Sequence, residues 1–146
     1  MLRGHATARM DDKGRLKIPA EFLGLFLELC GPNRDIYTTS RDGKMVLVYP
    51  LPVWEEYEKR IADAPQMHPA VENYVRALMY WGHQSQIDGA GRVLVHPLLR
   101  NHARLTSEAC VFGKQNLLEI CDHETYKGAP PVVTRDDQAL LSQFGL

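Results

Sequence analysis

The sequence predicts an α+β, β-rich fold in which two tandem copies of one small half are joined by helices. Three observations predict it. The pattern Asp-x-x-Gly-Arg occurs at 11–15 and again at 88–92, an offset of 77 residues, each time followed by alternating apolar residues and a proline. Each copy then carries a short apolar segment and a hairpin-like stretch, at Asp35–Tyr49 and at Ala109–Cys121. Two segments of helical periodicity lie between the copies.

The elements follow in order. Asp11 and Asp88 begin turns, because an Asp side chain can bond backbone amides ahead of it, while Gly14 and Gly91 supply positive φ. Arg15-Leu16-Lys17-Ile18 alternates and reads as a half-buried strand, as does its counterpart from Arg92 to Val95. Short helices are expected over Phe22–Leu29 and Leu98–Leu105. Arg41-Asp42-Gly43-Lys44 is a hairpin turn between Ile36–Thr39 and Met45–Tyr49, and Gly113–Asn116 is its counterpart between Ala109–Phe112 and Leu117–Ile120. A helix begins near Pro52 with Val53, Tyr57 and Ile61 on one face, and with Glu55/Lys59 and Glu56/Arg60 as i,i+4 pairs. Ala64–Pro69 breaks it. A second helix carries Val71, Tyr74, Val75, Leu78 and Met79 as a stripe and ends with Gly82 as its cap. After Gly128 a loop leads to a short helix over Asp136–Phe144. The units are 5–51, a helical linker 52–82, 83–126 and a tail 127–146.

Composition excludes several classes. The chain is 45% hydrophobic and 24% charged, the balance of a globular protein that needs no metal or disulfide to build a core. It contains no apolar run of membrane-spanning length, and its start lacks the apolar core of a secretory signal, so a cytoplasmic protein is expected. Cys30, Cys110 and Cys121 are scattered and read as reduced core thiols. The net charge is −1, but residues 1–17 carry five cations against two carboxylates, and residues 118–146 the reverse. That asymmetry makes one local positive surface, or merely a solvated face.

The paired motifs resemble the AbrB-type swapped-hairpin family. Their tandem arrangement, the phrase Tyr49-Pro50-Leu51-Pro52-Val53-Trp54, the motif Asp88-Gly89-Ala90-Gly91-Arg92 and the start Leu2-Arg3-Gly4 resemble the MraZ family, over about residues 1–126. The resemblance implies two interleaved AbrB-like halves forming an intramolecular pseudo-dimeric β-barrel. It also implies a ring-shaped homo-oligomer, an octamer or similar, and repression through short direct repeats in the promoter of the division and cell-wall gene cluster. A nucleoid-associated location follows. The motif turn with its Arg is that family's DNA-contacting element. Where AbrB-type first copies carry a further Arg after the proline, Phe22-Leu23 stands here. Ala90 and Leu94 replace Lys13 and Lys17 in the second copy, so the first copy is expected to dominate.

The site residues follow. Arg15 can bond a guanine edge through two parallel donors, and Gly14 leaves room for close approach. From local sequence it can equally pair with Asp11 or Asp88 and lock the turn. Lys13, Arg9 and Arg3 read as phosphate contacts, with solvated surface charge as the alternative. Arg92 is more structural, and Asp11, Asp88 and Gly91 are turn-formers. His5, His68, His83, His96, His102 and His123 have no metal-ligand spacing, and no cofactor is expected. Trp54, Trp81 and Tyr74 fit a core or a subunit contact better than a stacking platform for single strands. An enzyme built on Asp11, Asp88 and nearby histidines lacks a nucleophile and a catalytic spacing. The competing class is an antitoxin-like or scaffold module that uses the same fold to bind protein.

Overall fold

A computed structural model describes all 146 residues. Eight strands and five helices run in the order β1 (His5–Arg9), β2 (Arg15–Lys17), α1 (Ala20–Cys30), β3 (Asp35–Ser40), β4 (Val46–Pro50), α2 (Leu51–Ala62), α3 (Pro69–Tyr80), β5 (His83–Gln86), β6 (Arg92–Leu94), α4 (Pro97–His102), β7 (Glu108–Lys114), β8 (Leu117–Asp122) and α5 (Arg135–Leu141). The protein is α+β and sheet-rich. Six strands form an open antiparallel sheet in the order β1-β7-β8-β4-β3-β5, and β2 pairs separately with β6.

The sheet order reads the same from both ends once the copies are matched, β1 with β5, β3 with β7 and β4 with β8. Each copy lends its first strand to the other copy's hairpin. His5–Arg9 lies along Phe112–Glu108, and Gln86–His83 lies along Asp35–Thr38. Neither strand was expected from the sequence. His83-Gln84-Ser85-Gln86 has no apolar residue to mark a strand, and β1 marks its inner face only with Ala6 and Ala8.

The hairpins sit close to expectation. β4 is buried along its whole length, because Val46 and Val48 face one core while Leu47 and Tyr49 face another. Burial on both faces explains its unbroken apolar run. Asp42 closes the first turn by accepting from the amides of Lys44 (2.9 Å) and Met45 (3.1 Å). The second turn is tighter than expected: β7 continues to Lys114, leaving Gln115 and Asn116, with Gln115 at φ 61°. Gly113 therefore lies inside the strand, where an added Cβ would press on the Arg3 nitrogen (2.8 Å) and on Phe22 (2.9 Å).

The main core lies between the sheet and α1, α4 and the β2–β6 pair. Helix α1 supplies Phe22, Phe26 and Cys30, one face at i, i+4, i+8. Helix α4 is shorter than expected, because Arg104 takes φ 59° after its end, yet Leu105 still reaches the core. The second core covers the other face of β3 and β4. There Trp54 of α2 stacks on Tyr37 at 4.4 Å, and Leu78 of α3 is buried beside it. Trp54 is thus a core residue, and Tyr74 bonds Tyr57 through their hydroxyls at 2.6 Å. The helix stripes hold except at Met79, which is 69% exposed. The two i,i+4 ion pairs do not form. Lys59 pairs with Glu56 at 3.1 Å, and Arg60 lies over the Tyr57 ring. Gly82 is not a left-handed cap: Trp81 caps α3, and a Cβ at Gly82 would collide with the Tyr37 hydroxyl. The three cysteines are free and buried.

Leu16 is fully buried where the copies cross. Leu16→Ala should destabilise the whole chain by about 2–5 kcal/mol, through lost burial and the cavity left behind. Urea unfolding should shift as one transition; separate transitions for the two copies would contradict a shared core.

Candidate nucleic-acid interface

The two motif turns are built alike. Asp11 Oδ1 accepts from the amides of Lys13 (3.0 Å) and Arg15 (2.8 Å), while Oδ2 accepts from Arg15 Nε at 2.9 Å. Asp88 repeats the arrangement with Ala90 (2.9 Å), the Arg92 amide (2.9 Å) and Arg92 Nε (3.0 Å). The Arg15 amide, with its guanidinium and the Lys13 amide, holds the Asp11 carboxyl below the usual carboxylate range against the opposing pull of desolvation. The Arg92 amide does the same for Asp88. Each carboxylate also orients its Arg through Nε alone. The two Nη groups of Arg15 keep no hydrogen-bond partner in the chain. Local pairing and outward presentation, which compete in the sequence, therefore coexist.

Backbone bonds lock each turn to the opposite copy. The Val95 amide donates to the Gly14 carbonyl at 3.0 Å, and the Ile18 amide to the Gly91 carbonyl at 3.0 Å. Both glycines hold positive φ, 79° at Gly14 and 76° at Gly91. Between the turns β2 and β6 form a two-stranded ribbon in which Leu16 lies opposite Val93, and Lys17 opposite Arg92. Leu16 and Val93 point into the core. By strand alternation Arg15, Lys17, Arg92 and Leu94 share the outer face. Lys13 is exposed at the tip of the first turn. Arg92 leans between both turns, its Nη1 also 3.8 Å from Asp11 Oδ2.

Arg15, Lys13, Gly14 and Arg92 thus come together with Asp11, Asp88 and Gly91. Arg9 ends the strand that leads into the first turn and is highly exposed, 3.9 Å from Glu108. Arg3 does not join them. It precedes the far end of β1, next to Leu2, which bridges Gln115 at the tip of the second hairpin.

Sequence reasoning missed Arg100. Its Nη1 donates to the carbonyls of Val95 (3.2 Å) and Lys13 (3.4 Å), so that the guanidinium lies over Gly14, where a Cβ would collide with it. The corresponding place over Gly91 is held by Leu23 at 3.1 Å. The signal was available: Arg100 stands 77 residues after Leu23, the offset of the repeat itself. The first turn thus gathers Lys13, Arg15 and Arg100 beside Lys17, whereas the second has Ala90, Arg92 and Leu23. No cluster of His, Cys, Asp and Glu could hold a metal ion, and no helix is long and apolar enough to cross a membrane.

The bonded carboxyls set a pH dependence. A carboxyl whose folded pKa lies below its unfolded value of about 3.9 contributes stability above that value and loses it as pH falls through the folded pKa. Asp11→Asn should therefore flatten the acid limb of the stability curve below about pH 4. Urea midpoints across the acid range would check this; an unchanged slope would remove Asp11 from that role.

A family model described as "MraZ protein, putative antitoxin-like" matches residues 1–77 and 80–129. A protein of Acidobacterium capsulatum named transcriptional regulator MraZ is 40% identical over 149 residues, spanning the whole of both chains. One of Koribacter versatilis with the same name is 35% identical over 150 residues, again spanning both. One of Escherichia coli O9:H4 is 35% identical over 126 residues, covering 86% of this chain and 82% of its own.

Proposed function

Because the chain belongs to the MraZ family, we propose that it is a sequence-specific transcriptional regulator that binds double-stranded promoter DNA with the outer face of the β2–β6 ribbon and its turns. The observation that carries the reading is the outward Arg15 guanidinium, held through Nε by Asp11 at 2.9 Å with its Nη groups free. A two-stranded ribbon fits the major groove of B-form DNA, and a bidentate Arg–guanine contact contributes about 1–3 kcal/mol of discrimination. Arg15 reads a base edge, while Gly14, covered by the Arg100 guanidinium, supplies the turn that presents it rather than a close backbone approach. Lys13 and Arg9 hold phosphates, Arg92 supports the second turn, and Arg3 meets backbone further along. Arg100 adds charge over the first turn. These cations outnumber those at the second turn, so the first turn carries most of the contact.

The exchange of β1 and β5 supports reading the fold as a swapped-hairpin pseudo-dimer fused in one chain, with halves at 5–51 and 83–126, the linker at 52–82 and the tail from 127. One such ribbon offers few contacts. Assembly into a ring-shaped homo-oligomer, an octamer or similar, would multiply them through effective concentration and would suit direct repeats. On this reading the protein represses the promoter of the division and cell-wall gene cluster, on the nucleoid in the cytoplasm. The second reading is an antitoxin-like or scaffold module binding protein. It is favoured by the family description and by the net charge of −1.

Fluorescence anisotropy on a promoter fragment with tandem G-rich repeats, against a scrambled duplex, separates the two. Wild type should prefer the repeats and weaken steeply with added salt, as counterion release requires. Arg15→Ala should lose the preference, by about 1–3 kcal/mol, while keeping its fold. Lys13→Ala and Arg100→Ala should weaken both duplexes alike. Equal binding of wild type to both duplexes at every salt concentration would move the assignment to a protein partner.

A further inference from the structure

Residues 130–146 lie beyond the family match, which stops at 129, and they form an element with nothing to rest on. Helix α5 is well started. Thr134 Oγ1 accepts from the Asp137 amide at 3.0 Å, and Asp137 Oδ2 accepts from the Thr134 amide at 2.9 Å. Yet it is seven residues long, a length at which an isolated helix is marginal in water. The apolar side chains of this segment, on the helix and to either side of it, are in solvent: Val132 is 76% exposed, Val133 58%, Leu140 56% and Phe144 73%. None of them belongs to either core. Asp136 and Asp137 stand on its first turn.

Elsewhere on the chain is a groove of about 680 Å³ between α2 and the tip of the β7–β8 hairpin. Tyr49, Val53 and Leu117 line its floor, and four cations, Arg41, Lys59, Arg60 and Lys114, stand against two carboxylates around it. Arg60 has no carboxylate partner and rests on the Tyr57 ring. Lys59 and Lys114 have carboxylate partners of their own, Glu56 at 3.1 Å and Glu119 at 3.2 Å, so Arg41 and Arg60 are the lining cations without one. The groove is apolar at the bottom and basic at the rim. The tail carries exposed Val132, Val133, Leu140 and Phe144, and its helix begins with Asp136 and Asp137 beside Arg135. The groove lining has two more cations than carboxylates, and the tail one more carboxylate than cations, so their net charges are opposite.

We propose that the α5 tail of one copy docks in this groove of a second copy, its Val133 and Leu140 on the floor and Asp136 facing Lys59 and Arg60. The contact is head-to-tail: each copy offers one tail and one groove, so the geometry closes into a ring or continues. The inference rests on the homo-oligomeric reading above and names the surfaces that would join the subunits.

Sedimentation velocity of the full-length chain over a wide concentration range tests it. A tail variant, Val133→Asp with Leu140→Asp, and a groove variant, Lys59→Glu with Arg60→Glu, should each weaken self-association by about tenfold or more while circular dichroism stays native. The two variants mixed in equal amounts should form dimers and nothing larger, since only one intact groove meets one intact tail. Adding Asp136→Arg to the groove variant should restore assembly. If wild type and both variants assemble alike, the oligomer stands and this contact is wrong. If wild type stays monomeric throughout, the oligomeric reading fails and takes this proposal with it.

Discussion

The structure depends on one crossing: β2 laid antiparallel on β6 with Leu16 against Val93 at its centre. Both side chains are fully buried, and the backbone bonds from Ile18 to Gly91 and from Val95 to Gly14 bracket them. The proposed contact residues are placed from this point. The strand alternation that sends Leu16 and Val93 inward sends Arg15, Lys17 and Arg92 outward. The bracketing bonds tie each glycine turn to the other copy, so neither turn can move without disturbing the opposite strand. Rigid presentation matters for base reading, because a long arginine otherwise loses much rotamer freedom on contact. Here Asp11 has already restricted Arg15 through Nε.

Much of this was legible in the sequence, and the reasons are local. Asp-x-x-Gly-Arg specifies its own turn, since every bond within it lies at most four residues apart. Leu16, Ile18, Val93 and Val95 announce a half-buried strand by period. The Asp42-Gly43 turn and the stripe on α3 are of the same kind. What escaped was set by distant partners. Strand β5 is four polar residues that become a strand only because β3 offers an edge. Gly82 looks like a helix stop, but it is required by the Tyr37 ring, 45 positions earlier in the chain. Lys59 has two carboxylates within reach on its helix, and sequence spacing does not choose between them. Arg100 escaped because it meets Gly14 only after the copies interleave.

Fusing two copies in one chain frees them to diverge. Two separate identical subunits would carry the same residue over both glycines. Here Arg100 covers one and Leu23 the other, so the two sides of a near-symmetric scaffold differ in charge while sharing a backbone. The shared core explains why the second copy persists without the full set of cations. Its helix α4 and strand β6 complete the burial of the first copy's ribbon, and its hairpin pairs with β1.

The lending of β1 has a consequence for synthesis. This strand is made well before its hydrogen-bonding partner, β7, which begins at Glu108, 99 residues after β1 ends at Arg9. Until β7 has emerged, His5–Arg9 has no ladder to join, and β3, already paired with β4 on one side, waits for β5 on the other. Contacts of such long sequence separation form late and slowly. An incomplete nascent chain therefore exposes unpaired strand edges, the features most open to wrong pairing and to capture by chaperones. Translation that stalls before the second hairpin leaves β1 unpaired and the first copy without the strands and helix that complete its core.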